Sequence, residues 1–348
     1  MMVAVFMISS IQRASLRHKS KDLFYSSNIL KYLSSTSNMK IWTVDSFTKT
    51  PFKGNPAGVV AIMDDDDNDI FTNDSKCLEI SSEINLSETA FIKKRKCLSS
   101  SDDYNHYQIR WFTPKIEVDL CGHATLAAAH IICTENPFGQ NNIANSNHND
   151  SSGSISGYEI TFESIKSGLK LNVMRSEEEE RENRYTLDFP LQPINEKNIE
   201  IDDKILDIFD NNSNIINNIV KSLDNDATII EVCDVDYLKN KIFDNNKILN
   251  NINTRGLIVT VAAASSDKYD FYTRYFAPKS GIIEDPVTGS AHCKLVDYWN
   301  KKLGGKKIKF KAYQLSSRGG ELDLEIVSGD RVHITGSAVT VFKVSMCC

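Results

Sequence analysis

No apolar run in this 348-residue chain reaches the roughly 18 residues that a membrane-spanning helix needs. Nor is there a dense Lys/Arg groove, and a formal charge of -6 gives no electrostatic reason to expect nucleic acid as a partner. The 8 cysteines, Cys77, Cys97, Cys121, Cys133, Cys233, Cys293, Cys347 and Cys348, form no C-x-x-C pair. Only the terminal two are adjacent, and adjacent cysteines do not make an ordinary structural bridge. The expectation is a reduced, intracellular protein. No G-x-G-x-x-G follows a strand and no Walker A sequence occurs, which removes the common nucleotide-binding loops. Ser290 lies in VTGSAHC and lacks the G-x-S-x-G frame of a hydrolase nucleophile. His123, His130, Cys121, Cys133 and His292 make no metal-ligand spacing. His123 and His130 are seven residues apart, about two helical turns, too far to share an ion. With no metal and no cofactor expected, acid/base chemistry by side chains remains.

What is present is a pair of similar stretches. Ile109 to Ile132 reads IRWFTPKIEVDLCGHATLAAAHII, and Gly281 to Trp299 reads GIIEDPVTGSAHCKLVDYW. Each places a glycine beside small polar residues at the start of an apolar helical run: Gly122-His123-Ala124-Thr125 in one, Thr288-Gly289-Ser290-Ala291 in the other. Glycine lets the backbone come close to a ligand, and the free N–H groups of a first helical turn attract an anion. One such site is a weak signal. Two in one chain point to a duplicated architecture offering paired anion sites to a single cleft. The aromatic strands before them also echo each other, IRWFTP against FYTRYFAP.

Along the chain, residues 1–38 are basic and Ser-rich with the single acid Asp22, and they precede a second methionine, Met39. They read either as a disordered extension or as a transit segment. The first assignment leaves the protein cytoplasmic, and the second would make it mitochondrial. Residues 39–180 form an N-terminal half and residues 181–348 a C-terminal half, whose last strand is free to return to the first. Strands are expected at Ile41–Phe47, Ala90–Ile92 and Ile109–Phe112, with helices over Asn73–Glu83 and the two glycine-led runs. Asp64–Asp67 is expected to be a solvated loop, Asn141–Gly157 a surface insertion and SEEEERENR a charged linker. Between Pro193 and Asn253, one or two helices are expected. The pattern is α+β, two halves each with several strands and a buried helix.

The chemistry converges on Glu88, His123, Asp285 and Ser290, with Asn55, Gly122, Gly289 and Cys121 near them. Glu88, in NLSETAFI, is either a solvent-facing acid or the base of a cleft, with Ser87 and Thr89 on the opposite side of the strand. A carboxylate kept from water has a raised pKa and can serve as base and then acid. His123, in the first helical turn, is either a packed core histidine or a donor to a substrate oxygen. Asp285, before Pro286, caps a turn or orients an imidazole. Asn55 stabilises its turn or points into a site. Cys121 reads as a small packing residue.

Four segments in order, WTVDSFTKTPFKGNPAGVV, NLSETAFI, IRWFTPKIEVDLCGHATLAAA and APKSGIIEDPVTGSAHCKL, resemble the phenazine-biosynthesis-type isomerases, the PhzF-like family. The likeness runs from Met39 almost to the C-terminus. It implies a diaminopimelate epimerase-like fold, with two pseudo-symmetric halves, each a curved sheet or barrel around a central helix, and a cleft between them. It also implies a homodimer and a cofactor-independent isomerase acting on a small carboxylate-bearing substrate. By the same resemblance Glu88 is the proton-transferring base, helped by His123 and Asp285. Asn55, Gly122, Gly289 and Ser290 then bind substrate. Related epimerases use two opposed cysteines. Here Cys121 precedes Gly122 but EDPVTGS has no cysteine, so a two-thiol mechanism is not expected. The competing class is a non-catalytic small-molecule or protein-binding module on the same fold.

Overall fold

The computed structural model describes residues 39–63, 70–95, 105–139, 157–176, 183–328 and 330–346. The expectations for residues 1–38, for Asp64–Asp67, for most of the Asn-rich insertion and for the charged run Glu177–Glu182 lie outside these residues.

The chain opens with β1 (Met39–Ser46) and β2 (Asn55–Ile62), antiparallel with Ile41 opposite Val60. The bend between them includes Gly54 at φ +64°, where an added Cβ would sit 2.1 Å from the Ser46 carbonyl oxygen. Only glycine turns there. Helix α1 (Asp74–Ile84) starts on Asn73, whose side chain accepts from the Lys76 N–H, and stops on Asn85 in the left-handed region. It carries the chain across to β3 (Glu88–Lys94), parallel to β2. Then come β4 (His106–Phe112), the short β5 (Glu117–Val118), helix α2 (Gly122–Glu135), β6 (Gly157–Ser164) and β7 (Lys170–Ser176). After β8 (Arg184–Pro190) the same series recurs: β9 (Ile216–Lys221) and β10 (Ala227–Val232), β11 (Gly256–Ala262) and β12 (Phe271–Ala277), the short β13 (Ile282–Asp285), helix α6 (Gly289–Lys302), then β14 (Lys309–Gln314), β15 (Gly320–Ser328) and β16 (Arg331–Met346). The stretch expected to hold one or two helices has three short ones, α3 (Asp203–Ile208), α4 (Val235–Asn240) and α5 (Asn245–Asn251). Each starts on an aspartate cap, Asp202, Asp234 or Asp244, so the acids that look like loop padding end one element and begin the next.

The strand order is β1-β2-β3-β4-β6-β7-β8-β16-β15-β14-β12-β11-β10-β9, with β5 on β4, β13 on β12, and β1 also paired to β16. This order is a palindrome about the antiparallel β8–β16 pair. Parallel pairings fall at matching places: β2–β3 and β10–β11, β4–β6 and β12–β14. The fold is therefore two pseudo-symmetric halves of one mixed sheet, each curling round a buried helix.

Both central helices are buried for reasons visible in their residues. Every residue from His123 to Ile132 is buried, so this stretch of α2 has no solvent face, and its last turn, at Thr134, reaches water. Helix α6 buries Ala291 through Trp299. One apolar cluster joins the surroundings of both helices, including Val44, Trp111, Leu126, Phe189, Phe271, Leu295 and Ile334, within a single compact unit, Lys40–Val344. A second cluster packs Phe209, Leu238, Ile248 and Phe276 beneath α3, α4 and α5.

Candidate active site

The site forms where the first turns of α2 and α6 meet the starts of β2 and β3 and the end of β13. The backbone sets this up. Parallel pairing of β2 with β3 puts Ala57 opposite Glu88, so Asn55 and Glu88 emerge from the same edge. A hydrogen bond from Ser46 Oγ to the His123 carbonyl, 2.7 Å, fixes the first turn of α2 against β1.

Asn55, fully buried, is the bridge. Its Nδ2 donates to Asp285 Oδ1 and to the Val287 carbonyl, both at 2.8 Å, and lies 3.3 Å from His123 Nδ1. Two protons cannot serve three acceptors equally, so the two shorter bonds orient the amide and the imidazole contact is the weakest. Asn55 Oδ1 is buried without a hydrogen-bond partner among the described residues. Asp285 is also held by Thr288 Oγ1, which donates to its Oδ2 at 2.5 Å. Gln314 then donates from Nε2 to the Asp285 carbonyl and accepts from the Thr288 N–H.

On the other side of the imidazole, His123 Nε2 lies 3.3 Å from Glu88 Oε2 and 3.3 Å from Ser87 Oγ. Cys121 Sγ lies 3.5 Å from His123 Nδ1, and its thiol hydrogen-bonds Glu88. Burial governs the charges here. It raises the Glu88 pKa above the ordinary glutamate range, against the hydrogen bonds from Ser87 and Cys121. It raises Asp285 to about 6 and lowers His123 to about 4. It also pushes the Cys121 thiol well above its usual value. At neutral pH the imidazole is uncharged, so its contact with Glu88 is a hydrogen bond and not an ion pair.

The helix starts add a fixed field. Cys121 and Thr288 stand at equivalent N-cap positions, and neither side chain caps its helix. The first-turn N–H groups are thus left for an anion. An added Cβ at Gly289 would meet nothing within 4 Å, so the space beside this helix start is open. Gly122 opens α2 with Phe189 nearby, and Ser290 is half-buried in the first turn of α6. A groove of about 750 Å³ lined by Tyr158, Met174, Arg184, Phe310 and His333 contains none of these residues.

The structure brings Asn55, Glu88, His123 and Asp285 into one hydrogen-bonded cluster. It corrects the placement of Ser87. Strand β3 begins at Glu88, so strand alternation does not reach Ser87, and its hydroxyl meets the same imidazole nitrogen as the Glu88 carboxylate. Cys121, read from sequence as packing, is part of the cluster. Its signal was its place just before Gly122, equivalent to Thr288 before Gly289. Gln314 was missed because it comes from a strand distant in sequence. Glu88, Cys121 and His123 also present donor atoms all within 4.8 Å of one another, a grouping no sequence spacing could show. His130 lies apart from it, with Nδ1 3.1 Å from Tyr185 Oη and Nε2 3.0 Å from Thr340 Oγ1, a satisfied core histidine.

The sequence profile of the phenazine biosynthesis-like proteins, PhzC-PhzF, matches residues 44–344. The chain belongs to this family. An uncharacterized isomerase of Halalkalibacterium halodurans is 38% identical over 309 residues, which cover 87% of this chain and 96% of that protein. The human phenazine biosynthesis-like domain-containing protein is 34% identical over 315 residues, 88% of this chain and 98% of its own. A crystal structure of a PhzF family protein from Enterococcus faecalis superposes with a TM-score of 0.69 at 31% identity, covering 88% of this chain and 98% of the other. The fold of this PhzF-family chain is the diaminopimelate epimerase-like one, as its palindromic sheet and paired central helices indicate.

Proposed function

We propose that this PhzF-family protein is a cofactor-independent isomerase in which Glu88 takes a proton from a carbon of a small carboxylate-bearing substrate and returns it elsewhere on the same molecule. The observation that carries this reading is a buried carboxylate beside a neutral imidazole. Burial gives Glu88 a raised pKa, so it holds a proton well enough to act as base and then as acid without being inert as either. Neutral His123 can donate from Nε2 to Glu88 or to a substrate oxygen, and it cannot quench the base by forming an ion pair.

The remaining parts follow the same logic. The uncapped starts of α2 and α6, at Gly122 and Gly289 with Ser290 beside the second, receive the substrate carboxylate and the charge that develops as the proton leaves. Asn55 Oδ1 accepts from a substrate amine or hydroxyl, which supplies the partner it lacks within the protein. Asp285 holds the Asn55 amide and sets the field on His123. Names of relatives support the reaction class: the Halalkalibacterium halodurans protein carries an isomerase name. A one-thiol site argues against epimerisation by two opposed cysteines, since Thr288 stands where a partner for Cys121 would be needed.

Incubating the protein in D₂O with a panel of small amino and hydroxy acids, including a dihydro-hydroxyanthranilate, tests the proposal. Deuterium appearing at a carbon of one compound, read by NMR and mass spectrometry, supports it and names the acidified position. A compound that binds tightly, shifting amide signals, with no deuterium gained and no product formed would favour a binding module instead.

A further inference from the structure

We propose that Glu88, Cys121 and His123 form an inhibitory binding site for a thiophilic divalent cation, of which Zn²⁺ is the natural representative, and that the bound ion shuts down proton transfer by Glu88.

The donor geometry supports this. Zinc bond lengths of about 2.0 Å to nitrogen and oxygen and about 2.3 Å to sulfur place tetrahedral ligands about 3.3 Å apart for N and O, and about 3.5 Å apart for N and S. His123 Nε2 and Glu88 Oε2 are 3.3 Å apart, and Cys121 Sγ lies 3.9 Å from His123 Nε2 and 3.5 Å from Nδ1. All three donors lie within 4.8 Å of one another. Rotation of the Cys121 side chain from the Nδ1 side toward Nε2 brings the three onto one ion and leaves a fourth position for water. The donor types select the metal: sulfur, imidazole nitrogen and a carboxylate suit zinc, whereas magnesium and calcium prefer oxygen alone. The charges also match, because a thiolate, a carboxylate and a neutral imidazole offset a divalent ion. Cys121 sits at the N-cap of α2, where the helix field works against the burial that holds its proton, and the ion supplies the rest of the charge that a thiolate needs. Binding replaces the S–H bond with an S–metal bond and releases that proton to solvent, while the imidazole proton moves from Nε2 to Nδ1 so that the Nε2 lone pair is free for the ion. Because the thiol must lose its proton to bind, binding strengthens as pH rises. Once coordinated, the Glu88 oxygen and the His123 nitrogen are no longer available to carry protons.

The inference rests on the proposed active site only for its inhibitory half, and the test separates the two halves. The full chain, reduced and free of metal, is titrated with Co²⁺ while the near-ultraviolet thiolate-to-cobalt band is recorded. The expected result is a band saturating at one ion per chain, displaced by Zn²⁺ and lost in Cys121→Ser, which is close in size and whose melting temperature is measured beside the parent's. Glu88→Gln, which keeps the thiol, is expected to retain the band with weaker binding. No band, or one undiminished in Cys121→Ser and therefore arising at other cysteines, overturns the site. The inhibitory half is read by solvent-deuterium exchange, expected to stop with one equivalent of Zn²⁺ and to return on chelation. Exchange that continues in a Zn²⁺-saturated chain overturns inhibition while leaving the ion site intact. Lack of exchange by the metal-free chain counts against the proposed function, and the cobalt spectrum still decides the site.

Discussion

At the scale of single residues, burial decides what each group can do. Glu88 and His123 touch, yet water exclusion moves their pKa values in opposite directions, upward for the acid and downward for the base. This ordering gives a pH profile with a definite sign. Glu88 must be ionised to accept a proton, and protonating Asp285, at about 6, removes the charge that strengthens its bond from Asn55. Proton-transfer rate should therefore fall as pH drops below about 6. His123 stays neutral down to about pH 4, so no step should appear at the ordinary histidine value of about 6.5. A rate profile showing its only inflection there, and lost on replacing His123, would contradict the assignment. Asn55→Ala removes the donor shared by Asp285 and the Val287 carbonyl, leaving buried acceptors unpaired. The expected cost is about 1–3 kcal/mol in denaturant unfolding, with slowed exchange. Unchanged stability would mean these bonds contribute little. Much of this cluster was legible in sequence, because His123 and Asp285 stand beside glycine or proline at the two helix starts and Glu88 opens the apolar strand run of NLSETAFI. Ser87 and Gln314 were not. A residue one step before a strand does not obey the strand's alternation, and no local pattern announces a glutamine arriving from a strand distant in sequence.

At the scale of elements, the duplication explains features that look arbitrary one at a time. Arg110 on β4 donates to Glu117 from both Nε and Nη2 and to the Phe71 carbonyl. Arg274 on β12 does the same to Glu284 and to the Leu238 and Lys241 carbonyls. Each arginine clamps the short strand that leads to a central helix, β5 before α2 and β13 before α6. A fork-shaped guanidinium suits this because it satisfies a carboxylate and backbone carbonyls together. Arg274→Ala strands a half-buried Glu284 and frees the end of β13, which carries Asp285. A loss of about 3 kcal/mol is expected, together with slower exchange at a distance from the chemistry. Arg274→Lys should recover little, since an ammonium cannot fork. If Arg274→Lys matches the parent in stability and rate, the clamp is not what positions Asp285. The echo of IRWFTP in FYTRYFAP already pointed to this equivalence in the sequence. The short helices between β8 and β11 were harder to resolve, because their few apolar residues face one way over fewer than two turns and Asn and Asp elsewhere read equally as loop.

At the scale of the whole molecule, the two central helices share one apolar cluster, and β8 pairs with β16 at the centre of the sheet. Neither half can lose its packing without exposing the other. Calorimetry should therefore show one unfolding transition, with calorimetric and van't Hoff enthalpies in agreement, and two separated transitions would show that the halves are independently stable. The two-half plan was readable from the paired helix starts. The palindromic pairing order was not, since local pattern says which segments are strands and leaves their neighbours open. The site depends on this order, because Asn55 and Glu88 come from one half, and Asp285 and Gly289 from the other.

The central claim, that Glu88 moves a proton, is tested most directly by solvent-deuterium wash-in with the parent chain and Glu88→Gln under identical conditions. Glutamine keeps the size of the side chain and one acceptor oxygen while removing its basicity. If Glu88 is the base, deuterium enters the substrate with the parent chain and falls by at least about a hundredfold in the variant, while both chains melt alike. Equal wash-in by the two proteins would contradict the claim and move the base to another residue.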